Sequence, residues 1–432
     1  MRVGKVVKNA GWIIGCKLVK AILALFITML TARYMGPSNY GLINYAAGIV
    51  AFFTPIMKLG IDSVLVHQIV QYPQKEGETV GTAMVLNVVS SILCIIGVTA
   101  VSAILNPGEK ETIVICALYS TLLIFQAIEM VQYWFHAKLM AKYISMAMVA
   151  SYLCVSVFQI ILLIKQSHIY WFALSHAIDY LIIAAILLVV YHRNAGQPLR
   201  FSSERANALL RVGVYYIISA LMVTVFQHTD RIMLKTMLGN EAVGFYSAAT
   251  ACSGMVSFVF VAIIDSARPK IFEAYKIGKQ KFEDALSNLY TVIIYAALFV
   301  SLMITVFAPL IVHIMYGQAY AQSVNPLRIS AWFITFSYIG TVKNIWIITN
   351  HQQKYLLAIN FCGSVTNIVL NALLIPLYGV IGASIATVIT EIFTNVILGF
   401  IIAPIRENNM IMLKSLRFRN VIQIAKDILG RR

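Results

Sequence analysis

Residues 224–249 read TVFQHTDRIMLKTMLGNEAVGFYSAA. An acid and a base, Asp230 and Arg231, stand side by side in an otherwise apolar run that closes on Gly239, Asn240, Glu241 and Gly244. Two glycines five apart, with polar residues between them and small residues after, predict a tight turn that opens a new helix, because Asn, Ser or Glu near a helix start cap its free N–H groups. The same pattern stands earlier, at residues 35–47, as MGPSNYGLINYAA. A shift of 203 places Gly36 on Gly239, Gly41 on Gly244, Ala46 on Ala249 and Asp62 on Asp265. A second register, a shift of 212, places Trp134 on Trp346, Lys142 on Lys354 and Tyr143 on Tyr355. The chain therefore reads as one unit built twice.

The solvent of that unit follows from composition. Of 432 residues, 60% are hydrophobic and 12% charged, whereas soluble domains carry about a quarter charged residues. So little polar surface cannot cover a globule of this size. Apolar runs recur at about 10–33, 41–66, 80–105, 112–135, 143–165, 168–191, 211–237, 244–269, 284–313, 327–349, 355–376 and 380–403. Each is long enough to cross about 30 Å of hydrocarbon as a helix, and lone strands would leave backbone groups unpaired there. The expected fold class is all-α integral membrane, with twelve transmembrane helices in two six-helix lobes. An even number per lobe makes the repeats parallel, the design of many alternating-access transporters.

The boundaries read as an N-terminal lobe over 1–191, a polar linker over 192–210, a C-terminal lobe over 211–404 and a basic tail over 405–432. Of the 33 Lys and Arg, 23 fall on the side of the N terminus and five on the other, so both termini are expected in the cytoplasm. The net charge of +16 is thereby mostly topogenic, which argues against nucleic acid. The tail alternates basic and apolar residues and is expected to lie along the inner leaflet. The first apolar run is too long for a cleaved signal peptide. Six cysteines are scattered without metal spacing and read as buried thiols. No loop is long enough to fold as a catalytic domain, and no metal cluster, nucleophile triad or nucleotide loop is legible. The expectation is a protein that is not an enzyme and uses no cofactor beyond an H⁺ or Na⁺ gradient.

Charges within the spans carry what chemistry remains, since each is costly in lipid and faces protein or water. Span one holds Lys17 and Lys20, span two Lys58 and Asp62, span seven Asp230 and Arg231, span eight Asp265 and Arg268, span ten Lys343. Span four shows a polar stripe of Gln126, Glu129, Gln132 and His136, span six has Asp179, and span twelve has Thr387, Thr390, Glu391, Thr394 and Asn395. Each long cation has two readings: snorkelling to the headgroups, or lining a basic, water-filled chamber suited to an anion such as a diphosphate. The substrate-binding candidates are Lys17, Lys20, Lys58, Arg231, Arg268 and Lys343. The acids Asp62, Glu129, Asp179, Asp230, Asp265 and Glu391 read either as ion-pair partners or as ion-coupling groups. Lys58 and Asp62, four apart, permit an internal pair.

Four stretches, TARYMGPSNYGLINYAAGI at 31–49, FQAIEMVQYWFHAKLMAKY at 125–143, TDRIMLKTMLGNEAVGFYSAA at 229–249 and IMYGQAYAQSVNPLRISAW at 314–332, resemble the polysaccharide-transport branch of the MOP exporter superfamily, and within it the Wzx-type O-antigen or repeat-unit flippases. The resemblance implies two six-helix lobes around a central cavity with a basic lumen. It implies movement of an undecaprenyl-diphosphate-linked oligosaccharide across the bacterial cytoplasmic membrane, with polysaccharide polymerase and chain-length proteins as partners. Lys17, Lys20, Lys58, Arg231 and Arg268 sit in the helices where such cations are expected. The rivals are an ion-coupled exporter of drugs or metabolites with the same fold, expected to have an acidic cavity, and a membrane polysaccharide polymerase or ligase, which would need a larger outer loop.

Overall fold

The structure, a computed structural model, describes the backbone of residues 3–194 and 197–417, and side chains from residue 15 onward within those segments except at 17, 18 and 215. The helices are α1 (Val3–Met57), α2 (Asp62–Gln71), α3 (Glu76–Leu105), α4 (Lys110–Ser120), α5 (Leu122–Glu129), α6 (Gln132–Ala137), α7 (Ala141–Ile164), α8 (Ile169–Asn194), α9 (Ser203–Leu238), α10 (Asn240–Gly254), α11 (Ser257–Ile277), α12 (Lys279–Tyr316), α13 (Val324–Thr349), α14 (Lys354–Tyr378), α15 (Val380–Ile392), α16 (Leu398–Ile401) and α17 (Arg406–Ser415). Among the described residues, nine helical stretches are long and apolar enough to span a membrane, and ten with the pair Ser203–Val214 and Tyr216–Leu238, which is bent by 47°. The twelve spans of the sequence reduce to this number for two reasons. The first stretch, Val19–Gln71, runs through the turn at Gly36 and holds two of them. Helix α13, carrying Arg328 and Lys343, falls outside the set.

The repeat is written in the backbone. Gly36 adopts φ 69°, ψ 173°, and Gly239 adopts φ 89°, ψ −174°, a conformation that essentially only glycine reaches. The 212-residue register reappears as a pair of left-handed residues, Leu139 (φ 58°) and His351 (φ 56°). Around them the hydrogen bonds match. Lys138 N donates to Trp134 O and Asn350 N to Trp346 O, both at 3.0 Å, while Met140 N reaches Phe135 O at 2.8 Å and Gln352 N reaches Ile347 O at 2.9 Å. Neither left-handed residue is glycine, so each turn is held against its own backbone preference by this ladder.

Compactness divides the chain after Gly244, giving units Met1–Gly244 and Phe245–Arg432. This boundary lies well beyond the linker because α9 packs on α1, α2 and α3. Two glycine contacts allow it. A Cβ on Gly41 would sit 1.9 Å from Asn240 O, and one on Gly244 would sit 2.0 Å from Pro37 O. Since 203 residues separate Pro37 from Asn240 and Gly41 from Gly244, the two copies of the turn pack reciprocally, as equivalent surfaces do across a two-fold axis. Further along, Gly60 and Gly213 bring α1 and α9 together, and a Cβ on Gly213 would meet Leu59 O at 2.3 Å. Backbone faces backbone there, so no rotamer change relieves the overlap. Gly213→Ala is expected to cost about 1–3 kcal/mol in detergent thermal unfolding. Gly254→Ala, with nothing within 4 Å of the new atom, serves as the neutral control.

The linker is held tightly to the first unit. Gly77 N donates to Gln197 Oε1 at 3.0 Å, Gln197 Nε2 to Pro73 O at 3.1 Å, and Ser202 N to Thr82 Oγ1 at 2.9 Å. Ser202 then caps α9, accepting from Arg205 N at 3.4 Å.

In the second unit the start of the tail departs from expectation. Helix α17 docks on α12 with Asn408, Asn409, Ile411, Met412 and Ser415 buried. Tyr290 Oη donates to Asn408 Oδ1 at 3.0 Å, Asn409 Nδ2 to Val396 O at 2.7 Å, and Lys279 pairs with Glu407. Residues 406–415 thus pack on protein, where the sequence pattern had placed them on lipid. Residues 418–432 lie outside the described residues.

Candidate functional site

Within the first unit, α1, α5, α6, α7 and α8 surround a cavity of about 210 Å³ lined by Lys20, Lys58, Gln126, Glu129, Gln132, Asp179 and Tyr180, with Met130, Met148 and Ile183. Of the stripe read from span four, Gln126, Glu129 and Gln132 line this space, across the junction of α5 and α6, and His136 does not. Lys20 Nζ lies 5.4 Å from the centre of the Tyr152 ring, a cation–π contact that holds the ammonium without a carboxylate. Asp179 is positioned from the next helix, its Oδ1 accepting from Ser151 Oγ at 2.6 Å. Glu129 is almost fully buried, and the charges of Lys58, Lys20 and Asp179 act on it.

Lys58 is placed by a break in the helix. The chain leaves α1 through Leu59 (φ 53°) and Gly60 (φ 64°), where Leu59 N donates to Ile56 O at 3.0 Å and Ile61 N to Lys58 O at 2.9 Å. Helix α3 supplies further donors to the break. Ser90 Oγ reaches Ile56 O at 3.3 Å, and the Asn87 amide, oriented with its nitrogen toward the break, reaches Met57 O at 3.1 Å and Lys58 O at 3.3 Å. Irregular backbone at membrane depth survives only when protein or water satisfies it in this way. Lys58 Nζ lies 3.7 Å from Asp62 Oδ2, the i,i+4 pair that the spacing permitted.

A second cavity, of about 220 Å³, is lined by hydroxyls and amides from Thr28, Thr31, Asn44, Tyr119, Gln159 and Ser175. Asp179 borders both cavities, and His176 lines the second beside it.

The remaining sequence candidates lie elsewhere. Arg231 lies across Gly48, with Nη1 3.3 Å from His228 Nδ1. Asp230 is buried. Arg268 Nη2 lies 3.2 Å from Asp265 Oδ1 on α11, both side chains about half exposed, which makes them an i,i+3 surface pair worth little energetically. Lys343 is 1% exposed and does not snorkel. Its Nζ donates to Thr394 O at 2.8 Å and Asn395 Oδ1 at 3.0 Å, and Asn395 Nδ2 donates to Glu391 Oε2 at 2.5 Å. Thr394 and Asn395 belong to a π-helical turn, Phe393–Ile397. Lys343 therefore ties a bulge in its own unit, a structural duty, and is withdrawn as a substrate ligand. The Lys17 side chain lies outside the described residues. The expectation of a purely basic chamber also changes. Two lysines and two carboxylates line the first-unit cavity, because Glu129 and Asp179 project into the same space as Lys20 and Lys58.

Glu109, just before α4, pairs with Lys235 in the last turn of α9. Lys235 Nζ donates to Glu109 Oε2 at 2.6 Å, and Thr112 Oγ1 donates to the same oxygen at 2.7 Å. The lysine's hydrogen bond first, and the threonine's second, hold the Glu109 carboxyl below the usual carboxylate range. A carboxylate depressed on folding stabilises at neutral pH, and that contribution disappears as pH falls from about 4.3 through the folded value. Acid unfolding followed from pH 6 to pH 3 is expected to be steeper in the natural chain than in Glu109→Gln.

Residues 6–275 match a family model described as polysaccharide biosynthesis protein. The chain belongs to that family. A second model, MatE, matches residues 216–373. A curated relative, an uncharacterized membrane protein of Methanocaldococcus jannaschii, is 27% identical over 271 residues; the match covers 57% of this chain and half the length of the relative. Two solved structures are similar. One is an inward-facing multidrug resistance MATE family transporter of the MOP superfamily (TM-score 0.68, 16% identity, covering 92% of this chain and 96% of that one). The other is the lipid II flippase MurJ in an inward closed conformation (TM-score 0.71, 16% identity, 95% and 92%). At such identity these likenesses show the fold, an all-α membrane protein of the MOP type. For this family member, sequence reasoning overlooked Tyr152, Tyr180 and Ser151. Tyrosines and serines inside apolar spans carry no charge signal, and only helix packing brings Tyr152 to Lys20 and Ser151 to Asp179.

Proposed function

We propose that this chain is a flippase for a lipid-linked oligosaccharide. It moves an undecaprenyl-diphosphate-linked repeat unit of a surface polysaccharide, of the O-antigen type, from the inner to the outer leaflet of a bacterial cytoplasmic membrane, by alternating access and without covalent chemistry. The observation that carries the reading is the first-unit cavity, which presents two ammonium groups, Lys20 and Lys58, beside hydrogen-bonding amides and a tyrosine. Two ammoniums suit the two phosphates of the carrier, and amides and hydroxyls suit sugar. Family membership and the fold of a protein described as a lipid II flippase support the same class of cargo. Glu129 and Asp179, in the same cavity, are the proposed sites of H⁺ or Na⁺ coupling. Polymerase and chain-length proteins would then receive the translocated unit.

A second reading is favoured by one feature: the same two carboxylates would serve an exporter of cationic metabolites, and the MatE match agrees with it. Transport of a defined lipid-linked oligosaccharide in proteoliposomes, with imposed H⁺ and Na⁺ gradients, separates the two. Translocation of the oligosaccharide supports the flippase. Uptake of organic cations with no movement of the lipid-linked sugar would replace it by the exporter.

A further inference from the structure

Apart from the transport cavity, the linker end of the first unit holds a buried cation. Arg205, in the first turn of α9, is 8% exposed, and its guanidinium carbon lies 4.3 Å from the centre of the Tyr72 ring. Stacking covers the face of the guanidinium and leaves its N–H edge. Nε has no hydrogen-bond partner, and among the described residues no carboxylate lies within 4.0 Å of this group. Guanidinium stays charged at any pH the protein meets, and a buried charge without a counterion is costly. Nor is Arg205 free to retreat into water. The extended segment before it is tied to α3 through Gln197 and Ser202, and Ser202 accepts from its own backbone N–H.

The group borders an open cavity of about 470 Å³, lined otherwise by Gln71, Tyr72, Pro73, Gln74, Lys75 and Glu204. Here are a second cation, two side-chain amides and the N-terminal end of a 36-residue helix, whose dipole favours an anion. Glu204 alone opposes. The basic-loop pattern puts this end at the inner leaflet.

We infer that this pocket binds a phosphate group, with Arg205 as its central ligand and Lys75 on its rim, at a place separate from the transport cavity. The phosphate comes from the headgroup of an anionic phospholipid or from a phosphate in solution. Its occupancy fastens the linker and the start of α9 to the first unit.

The test uses the full-length protein in neutral detergent, read by thermal unfolding and by native mass spectrometry. The probes are phosphatidylglycerol, phosphatidylcholine and inorganic phosphate. Phosphatidylglycerol is expected to raise Tm and to remain bound, with phosphatidylcholine inert. Arg205→Gln is expected to weaken binding roughly tenfold, as loss of a charge-assisted contact does. Lys75→Gln weakens it less, and Glu204→Gln strengthens it. If inorganic phosphate reproduces the shift, the source is soluble; if only the lipid does, it is the headgroup. Should Arg205→Gln fail to fold, the exposed Lys75→Gln and Glu204→Gln variants still decide. Equal response of the natural chain and these variants to both phosphate probes overturns the site.

Discussion

Substituting Lys343→Met is expected to lower the stability of the second unit by about 3–5 kcal/mol, the usual consequence of removing one partner from a buried charged cluster. The ammonium satisfies Thr394 O and Asn395 Oδ1 at once, and Asn395 in turn holds Glu391. Without it, Thr394 O in the π-helical turn and the Asn395 amide oxygen both lose their donor, and the amide that holds the buried Glu391 carboxylate is no longer fixed. Gly340 leaves the cluster no slack, since a Cβ there would sit 2.3 Å from Asn395 Oδ1. The double variant Lys343→Met/Glu391→Gln is expected to recover much of the loss, because it removes the uncompensated charge. Detergent thermal unfolding of both variants checks this. Equal stability of Lys343→Met and the natural chain would show that the ammonium is not structural.

Lys20→Ala/Lys58→Ala is expected to leave the fold intact and abolish transport. The Lys58–Asp62 pair is about a third exposed on both sides, so its loss costs little, and Lys20 is held by a ring. Each charge-assisted contact to a phosphate contributes about 1.5–3 kcal/mol; losing both predicts a fall of at least about 100-fold in flipping. Restoration of surface polysaccharide in a flippase-null strain, at matched protein levels, reads it out. Full restoration by the double variant would sink the diphosphate assignment. Under the exporter reading the sensitivity reverses, with Glu129→Gln and Asp179→Asn abolishing transport and the lysines dispensable.

Much of this was legible in residue order. Gly36 and Gly239 stand out because only glycine makes that turn, so the repeat is visible without coordinates. The stripe at Gln126, Glu129 and Gln132 follows from helical periodicity. Charge alone could not tell the lysines apart. Lys58 and Lys343 look alike as isolated cations in apolar runs, yet one lines a cavity and the other ties a bulge. The difference lies in Thr394, Asn395 and Glu391, about fifty residues away in the chain. Arg205, similarly, reads as one more basic residue in a polar linker until Tyr72 is found beneath it.

The stretch 224–249 and its copy at 35–47 gave the repeat, and the composition and apolar runs gave a helical membrane protein, since glycine's conformational range and backbone satisfaction in lipid are local properties. What Asp230 and Arg231 face was a tertiary matter. The structure lays Arg231 across Gly48 beside His228 and buries Asp230, and it gives the cavity to Lys20, Lys58, Glu129 and Asp179. Burial, partners and the balance of charge in a cavity depend on which helices meet, and that is decided by contacts between residues far apart in the chain.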